Sequence, residues 1–352
     1  MVHAGAVSFP SLRALLAPAI LAPALSLAGT AAADPVRLTL SSWLPSQHVV
    51  VAGMIVPWAA EVEAATGGSI VIDILSPPLG GPATHFDLAV DGISDITYGV
   101  HAYEPGRFVL TQVAEFPLTT SSAEAASVAY WRIFQRYLAD SEEHAEVKPL
   151  SLYVQGGGQL WTAGRPVDSV EAMSGLKVRV AGGAITGLSE NIGIAPILRP
   201  VSEAYEILST GVADGIFLPP ESVPGFGLDR VIRHGAMLPG GFYNVSLFLV
   251  MNPDRFDSLT PEQQEALMSV SGEHFARLAG RAWDAADAAA MEAMAAAGIE
   301  ITMLDEAAAE RIRELSAPVE AAWIAQAEAR GVDGAAVLEA LRAEVALVEA
   351  ER

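Results

Sequence analysis

In the segment Gly175-Leu176-Lys177-Val178-Arg179-Val180-Ala181-Gly182-Gly183, apolar residues alternate with two cations. At period two, Leu176, Val178 and Val180 share one face of a strand while Lys177 and Arg179 share the other. Arg179 falls near the carboxyl end, beyond which open α/β sheets bind their ligands. A guanidinium there grips a carboxylate through two parallel charge-assisted hydrogen bonds, a geometry that lysine cannot reproduce. An ordinary surface ion pair is the competing explanation of the same residue.

No catalytic constellation accompanies this arginine. The histidines never recur at i, i+4, the spacing that sets two imidazoles on one helix face for a metal. Gly-x-Ser-x-Gly is absent, and so are Gly-x-Gly-x-x-Gly and Gly-x-x-x-x-Gly-Lys. Ser174-Gly175-Leu176-Lys177 matches Ser-x-x-Lys, but it leads into a strand rather than opening a helix, which removes the geometry a nucleophile and its base need. The chain has no cysteine, so disulfides and thiolate chemistry are excluded. No cofactor or metal is indicated.

The elements that must position Arg179 alternate between strand and helix, the pattern of an α/β protein. Val36 to Leu40 and Ile70 to Leu75 read as strands, with a helix from Val49 to Ala65 between them. Ser121-Ser122-Ala123-Glu124 reads as a capping box opening a helix towards Leu138. Asp91-Gly92-Ile93-Ser94-Asp95-Ile96 is echoed by Thr210-Gly211-Val212-Ala213-Asp214-Gly215-Ile216, each after a short apolar helix and before a strand. The echo suggests two lobes of related construction, with a chance recurrence of a common turn as the alternative. From Thr260-Pro261-Glu262-Gln263, a second capping box, nothing but Gly272 and Gly280 interrupts helix before Gly298. The expected helix is up to about 37 residues, or roughly 55 Å, long enough to brace two lobes.

Arg13 followed by the apolar run Ala14 to Leu27, and Ala31-Ala32-Ala33 after it, reads as a secretory signal with cleavage after Ala33. Pro18 and Pro23 interrupt the run, which argues against a membrane-spanning helix. The remaining chain of about 320 residues exceeds a usual single domain, so two lobes are expected. A formal net charge of −22 repels nucleic acid and anionic lipid.

In the order of its motifs the sequence resembles the dicarboxylate-type substrate-binding proteins of tripartite ATP-independent periplasmic (TRAP) transporters. The likeness rests on the opening strand with Trp43, Gly92-Ile93-Ser94-Asp95, Pro105-Gly106-Arg107-Phe108 and Gly175 to Val180. It continues through Ser202 to Leu208 and Gly211-Val212-Ala213-Asp214-Gly215 to the long helix after Thr260. It implies a fold of the type II periplasmic-binding kind: two α/β lobes around a ligand cleft, joined by crossing strands and braced by a long helix. It implies lobe I as 34–156 plus 245–284 and lobe II as 157–244 plus 285–352, after the signal at 1–33. It also implies a periplasmic receptor for a small organic acid, with membrane permease subunits as partners, no stable membrane insertion, and Arg179 as the carboxylate-gripping residue.

Departures from the family pattern bear on substrate. Gly158 and Gln159 stand where many members place a second arginine, and an asparagine that often precedes the second crossing strand aligns near Gly241. Ile216-Phe217-Leu218 is apolar where polar residues are usual. These favour a monocarboxylate with an apolar part over a C4-dicarboxylate. Trp43, Tyr98, Gln155, Trp161, Phe217 and Tyr243, at strand ends or turns, are secondary wall candidates, with core packing the alternative for each. Arg107 reads as readily as a lobe-orienting ion pair and is left out of the site. A ligand-presenting protein for a sensor, and an enzyme on the same scaffold, are the rival functions.

Overall fold

A computed structural model describes residues 1–8 and 34–351 of the chain, which divides into two units, Met1–Asp34 and Pro35–Arg352. The described residues of the first unit have no regular secondary structure. The apolar run at 14–27 and the expected cleavage after Ala33 lie outside the described residues.

The second unit holds strands β1 (Val36–Ser41), β2 (Ile70–Leu75), β3 (Ile96–Val100), β4 (Lys148–Val154), β5 (Gln159–Thr162) and β6 (Lys177–Val180). They are followed by β7 (Ala195–Leu198), β8 (Gly215–Leu218), β9 (His234–Met237), β10 (Ser246–Met251) and β11 (Glu300–Met303). Its helices begin with α1 (Val56–Ala65), α2 (His85–Val90), α3 (Ala123–Ile133), α4 (Ala184–Ile192), α5 (Ala204–Ser209) and α6 (Ser222–Gly225). They continue with α7 (Pro253–Asp257), α8 (Pro261–Ser269), α9 (Gly272–Ala296), α10 (Glu306–Glu328) and α11 (Gly334–Ala350).

Two sheets form, one in the order β2-β1-β3-β10-β4 and the other β11-β9-β5-β8-β6-β7. In the first, β1 runs parallel to β2 and β3, and β10 antiparallel to β3 and β4. In the second, β6 runs parallel to β7 and β8, and β5 antiparallel to β8 and β9. Apart from the added edge strand β11, the two sheets therefore share one topology. The repeated Gly-x-x-Asp turn serves this design twice. Asp95, before β3, accepts the amide of Thr39 on β1 at 2.7 Å; Asp214, before β8, accepts the amide of Lys177 on β6 at 2.8 Å.

Two short connections join the sheets, residues 155–158 between β4 and β5 and residues 238–245 between β9 and β10, and a third passage runs from β10 through α7, α8 and α9 to β11. The two short connections pair with each other, the amide of Gly158 donating to Tyr243 O at 2.8 Å and that of Phe242 to Gly158 O at 2.9 Å.

The expected 37-residue helix is two helices. Thr260 and Gln263 close the capping box of α8 as the sequence predicts, but Val270 and Ser271 interrupt, and Gly272 adopts φ +56°, outside the right-handed helical region. The Ser271 hydroxyl, freed from helix, donates to Leu267 O and accepts from Trp58 Nε1. The remaining 25-residue α9 still spans the molecule: Phe275, Ala279 and Trp283 enter the main core, while Ala290 and Met294 enter a second core against β5 and β8. Where α9 crosses α3, a side chain at Gly280 would strike the backbone of Glu124. Glu124 does not close the expected box. Ser122 is the cap, accepting from Ala125 N, and Asp284 of α9 accepts from Ala123 N, so Glu124 is released to pair with Arg277 and Arg281. α11, which lies within the 285–352 of the expected second lobe, packs on α3, with Arg132 bonded to Glu344 at 2.9 Å.

Candidate functional site

The carboxyl ends of β1, β3, β6 and β8 converge on one cavity, with about 490 Å³ of empty space when counted out through its open mouth. β1 contributes Trp43 and Leu44 just past its end, β3 contributes Tyr98 and Val100, and the turn after β3 brings Tyr103. From the other sheet come Arg179 and Ala181 around the end of β6 and Leu218 at the end of β8. The paired connections add Gln155, Tyr243 and Val245, and α9 adds Trp283. Parallel strands of one topology, facing each other end to end, make the convergence unavoidable.

Arg179 is 1% exposed and has no carboxylate partner among the described residues. Its Nε donates to Arg199 O at 2.7 Å and its Nη2 to the Tyr103 hydroxyl at 3.2 Å, while Nη1 bonds no described residue. The Tyr103 oxygen also accepts Val201 N at 3.1 Å, which uses both its lone pairs and leaves its hydrogen to be donated. A buried guanidinium without a counter-charge is costly, and its stable complement is an anion in the cavity.

No second cation stands there among the described residues. His48 lines the wall, but burial lowers its pKa to about 4, so it is neutral at neutral pH. Its Nδ1 accepts Val50 N at 3.3 Å, which sets the proton on Nε2. Gly158 leaves no room for an arginine, because the ring of Tyr243 occupies the space a side chain would take. Gln159 is committed to both backbone groups of Leu238, at 2.8 and 3.1 Å. An asparagine does precede β10, at Asn244 rather than at the aligned Gly241; it accepts Val245 N and does not line the cavity.

Of the residues singled out in the sequence, Arg179, Trp43, Tyr98, Gln155 and Tyr243 come together around the cavity. Tyr98 donates or accepts at 2.6 Å with Ser42, and Tyr243 donates to Phe217 O at 3.0 Å; burial pushes both phenols above their ordinary pKa. Trp161 and Phe217 lie elsewhere. Trp161 is in the second core and donates to Leu218 O at 2.9 Å, and the Phe217 ring packs against Phe242 and Tyr243 behind the wall. Tyr103, His48, Phe226 and Trp283 were missed. The strand-end rule that selects Arg179 also reaches Tyr103, three residues past β3 in the turn His101–Tyr103; nothing local marks Trp283. Arg107 is engaged by Asp87, Glu104 and Glu146 and lies over Phe86, outside the cavity.

Two sheets of one topology, a paired double connection and a buried, unmatched guanidinium between them define a two-lobed receptor for a small anion. The family model "Bacterial extracellular solute-binding protein, family 7" matches residues 40–326, and the chain belongs to that family, the solute receptors of TRAP transporters. A TRAP solute-binding protein of Bordetella bronchiseptica, solved with bound (R)- and (S)-mandelate, is 43% identical with a TM-score of 0.86, covering 89% of this chain and 100% of that one. One from Rhodoferax ferrireducens, solved with copurified benzoate, is 30% identical with a TM-score of 0.84, covering 88% of this chain and 98% of that one. The "Outer membrane transporter protein TsaT" of Comamonas testosteroni is 30% identical over 95% of this chain and 98% of its own length. Among the described residues no helix is long and apolar enough to cross a membrane and no cluster of metal-ligating side chains occurs.

Proposed function

We propose that the protein is exported, cut after Ala33, and serves in the periplasm as the receptor of a TRAP permease, capturing an aromatic monocarboxylate and releasing it unaltered. The observation that carries this reading is Arg179, buried at the end of β6 with no carboxylate of the described residues beside it and aromatic side chains around it. One carboxylate balances one guanidinium. A second carboxylate in the same cavity would be desolvated without a partner, at a cost of several kcal/mol. An aryl tail instead gains about 25 cal/mol per Å² of apolar surface buried. The solved relatives with mandelate and benzoate support the same class.

Capture works by closure. Ligand contacts made jointly from the first sheet (Trp43, Tyr98) and the second (Arg179) exist only when the sheets approach, so the ligand shifts the population towards the closed form. The connections at 155–158 and 238–245 are the hinges of this reading. Residues 34–156 with 245–284, and 157–244 with at least 285–328, are the moving bodies.

A thermal-shift panel tests the substrate class. A ligand at 100 times its dissociation constant adds about 2.7 kcal/mol of stability. Benzoate, phenylacetate and mandelate are expected to raise the melting temperature, and succinate, malate and fumarate to leave it unchanged. A panel dominated by the C4-dicarboxylates would replace the substrate class and keep the receptor. Mass spectrometry of recovered ligand is expected to return it unchanged, and turnover would favour an enzyme instead.

A further inference from the structure

Four nitrogen donors in the wall of this cavity lack an acceptor, and none of them belongs to Arg179. The indole Nε1 atoms of Trp43 and Trp283, the imidazole Nε2 of His48 and the amide Nε2 of Gln155 are buried and make no hydrogen bond among the described residues. His48 Nε2 stands 3.5 Å from Glu221 Oε1, at the outer limit of a hydrogen bond and without its alignment. Gln155 can turn its amide over and offer an oxygen, but an indole N–H only donates, and the bond from Val50 N holds the His48 proton on Nε2. The rings of His48 and Trp283 meet edge to face, with centroids 6.3 Å apart, so two obligate donors share one stretch of wall.

Buried donors are almost always paired, because an orphan N–H forfeits its bond to water. Four orphans in one cavity wall point to a partner that arrives with the ligand. These donors are neutral, and Arg179, the one cation among the described lining residues, is matched in the reading above by the ligand's own carboxylate. Their complement is therefore a neutral acceptor, since a second carboxylate would be left without counter-charge. We propose that Trp283 and His48 form an acceptor-reading subsite, so that the ligand is an aromatic monocarboxylate carrying a carbonyl, ether or hydroxyl oxygen in addition to its carboxylate. The proposal rests on the aromatic-monocarboxylate reading above and narrows it.

Isothermal titration of the wild-type protein with isosteric pairs tests it. One pair is para-acetylbenzoate and para-isopropylbenzoate; the other is phenylglyoxylate and atropate, in which a methylene replaces the keto oxygen. The keto member of at least one pair is expected to bind about fivefold tighter or more, the worth of one ligand hydrogen bond made to an otherwise orphan donor. Trp283→Phe and His48→Phe keep an aromatic ring and remove the N–H, and each is expected to bring that ratio towards one, whatever it does to both affinities. Equal binding within both pairs would mean that water satisfies the donors, and a ratio that survives both substitutions would move the recognition elsewhere; either result overturns the subsite and leaves the aromatic-monocarboxylate reading standing. Binding of neither pair by a protein that binds benzoate or mandelate would overturn the subsite alone, and binding of neither pair nor of these acids by a protein that binds an aliphatic acid would remove both readings. The wild-type pairs decide the matter even if a variant fails to fold.

Discussion

Arg179 acts through shape as well as charge. Its Nε is held by Arg199 O and its Nη2 by the Tyr103 hydroxyl, so the guanidinium plane is fixed before any ligand arrives. Lysine offers a point charge without that plane. Arg179→Lys is expected to weaken binding of the cognate acid at least about tenfold, which corresponds to about 1.4 kcal/mol, as read by isothermal titration. Unchanged affinity in a folded variant would take Arg179 out of the site. A second residue near the cavity titrates against stability. Burial raises Glu221 from the usual 4.5 to about 7, with Asp287 adding repulsion and the Ser222 hydroxyl opposing it. Between those two values the folded protein holds a proton the unfolded chain has released, so this group's contribution to stability falls as pH rises through that window. Glu221→Gln removes the loss. The variant is expected to be more stable than wild type at about pH 8, by on the order of 2 kcal/mol, with the difference vanishing near pH 4. Urea denaturation at the two pH values checks this, and a difference independent of pH would refute it.

At the scale of elements, α9 and α3 decide how the receptor is braced. Gly280 lets the two helices approach until its α-carbon faces the backbone of Glu124, with Arg277 and Arg281 on either side bonded to the Glu124 carboxylate. Two effects compete in Gly280→Ala. Helix propensity favours alanine by about 1 kcal/mol, whereas a methyl group forced against backbone costs about 1–3 kcal/mol because neither helix can yield locally. The crowding is expected to win. The variant should unfold at lower urea concentration than wild type, and Gly280→Val more severely; a stabilised Gly280→Ala would show that the crossing relaxes freely. Asp284 adds a second tie, capping α3 from α9 through the amide of Ala123 at 2.6 Å.

For the molecule as a whole, the shared strand order of the two sheets makes the cavity symmetric in construction and asymmetric in chemistry. The end of β1 supplies Trp43 where the equivalent end of β6 supplies Arg179, so one side offers an aryl surface and the other a charge. A ligand with both features is needed to hold the sides together. Small-angle scattering is expected to show a smaller radius of gyration when benzoate or mandelate is added, and no such change in Arg179→Lys at the same ligand concentration. A radius unaffected by a ligand known to bind would exclude closure as the mechanism.

What the sequence determined by itself was what short-range physics controls. Period-two alternation set β6 and the face that Arg179 shares with Lys177, side-chain oxygens three residues from their amides set the cap of α8, and the Gly-x-x-Asp turns marked the starts of β3 and β8. Tertiary structure decided the rest. Trp161 and Trp283 are the same residue type, yet pairing of β5 with β8 turns the first into the second core while the path of α9 brings the second to the cavity. Ser121-Ser122-Ala123-Glu124 is a sound local capping signal, but Asp284, far along the chain, takes over its amides. The helix expected to continue from α8 breaks at Gly272, where the Ser271 hydroxyl is engaged by Trp58 of α1. In each case the deciding atom lies on an element remote in sequence, and local propensities of about 1 kcal/mol yield to packing and hydrogen bonds worth as much or more.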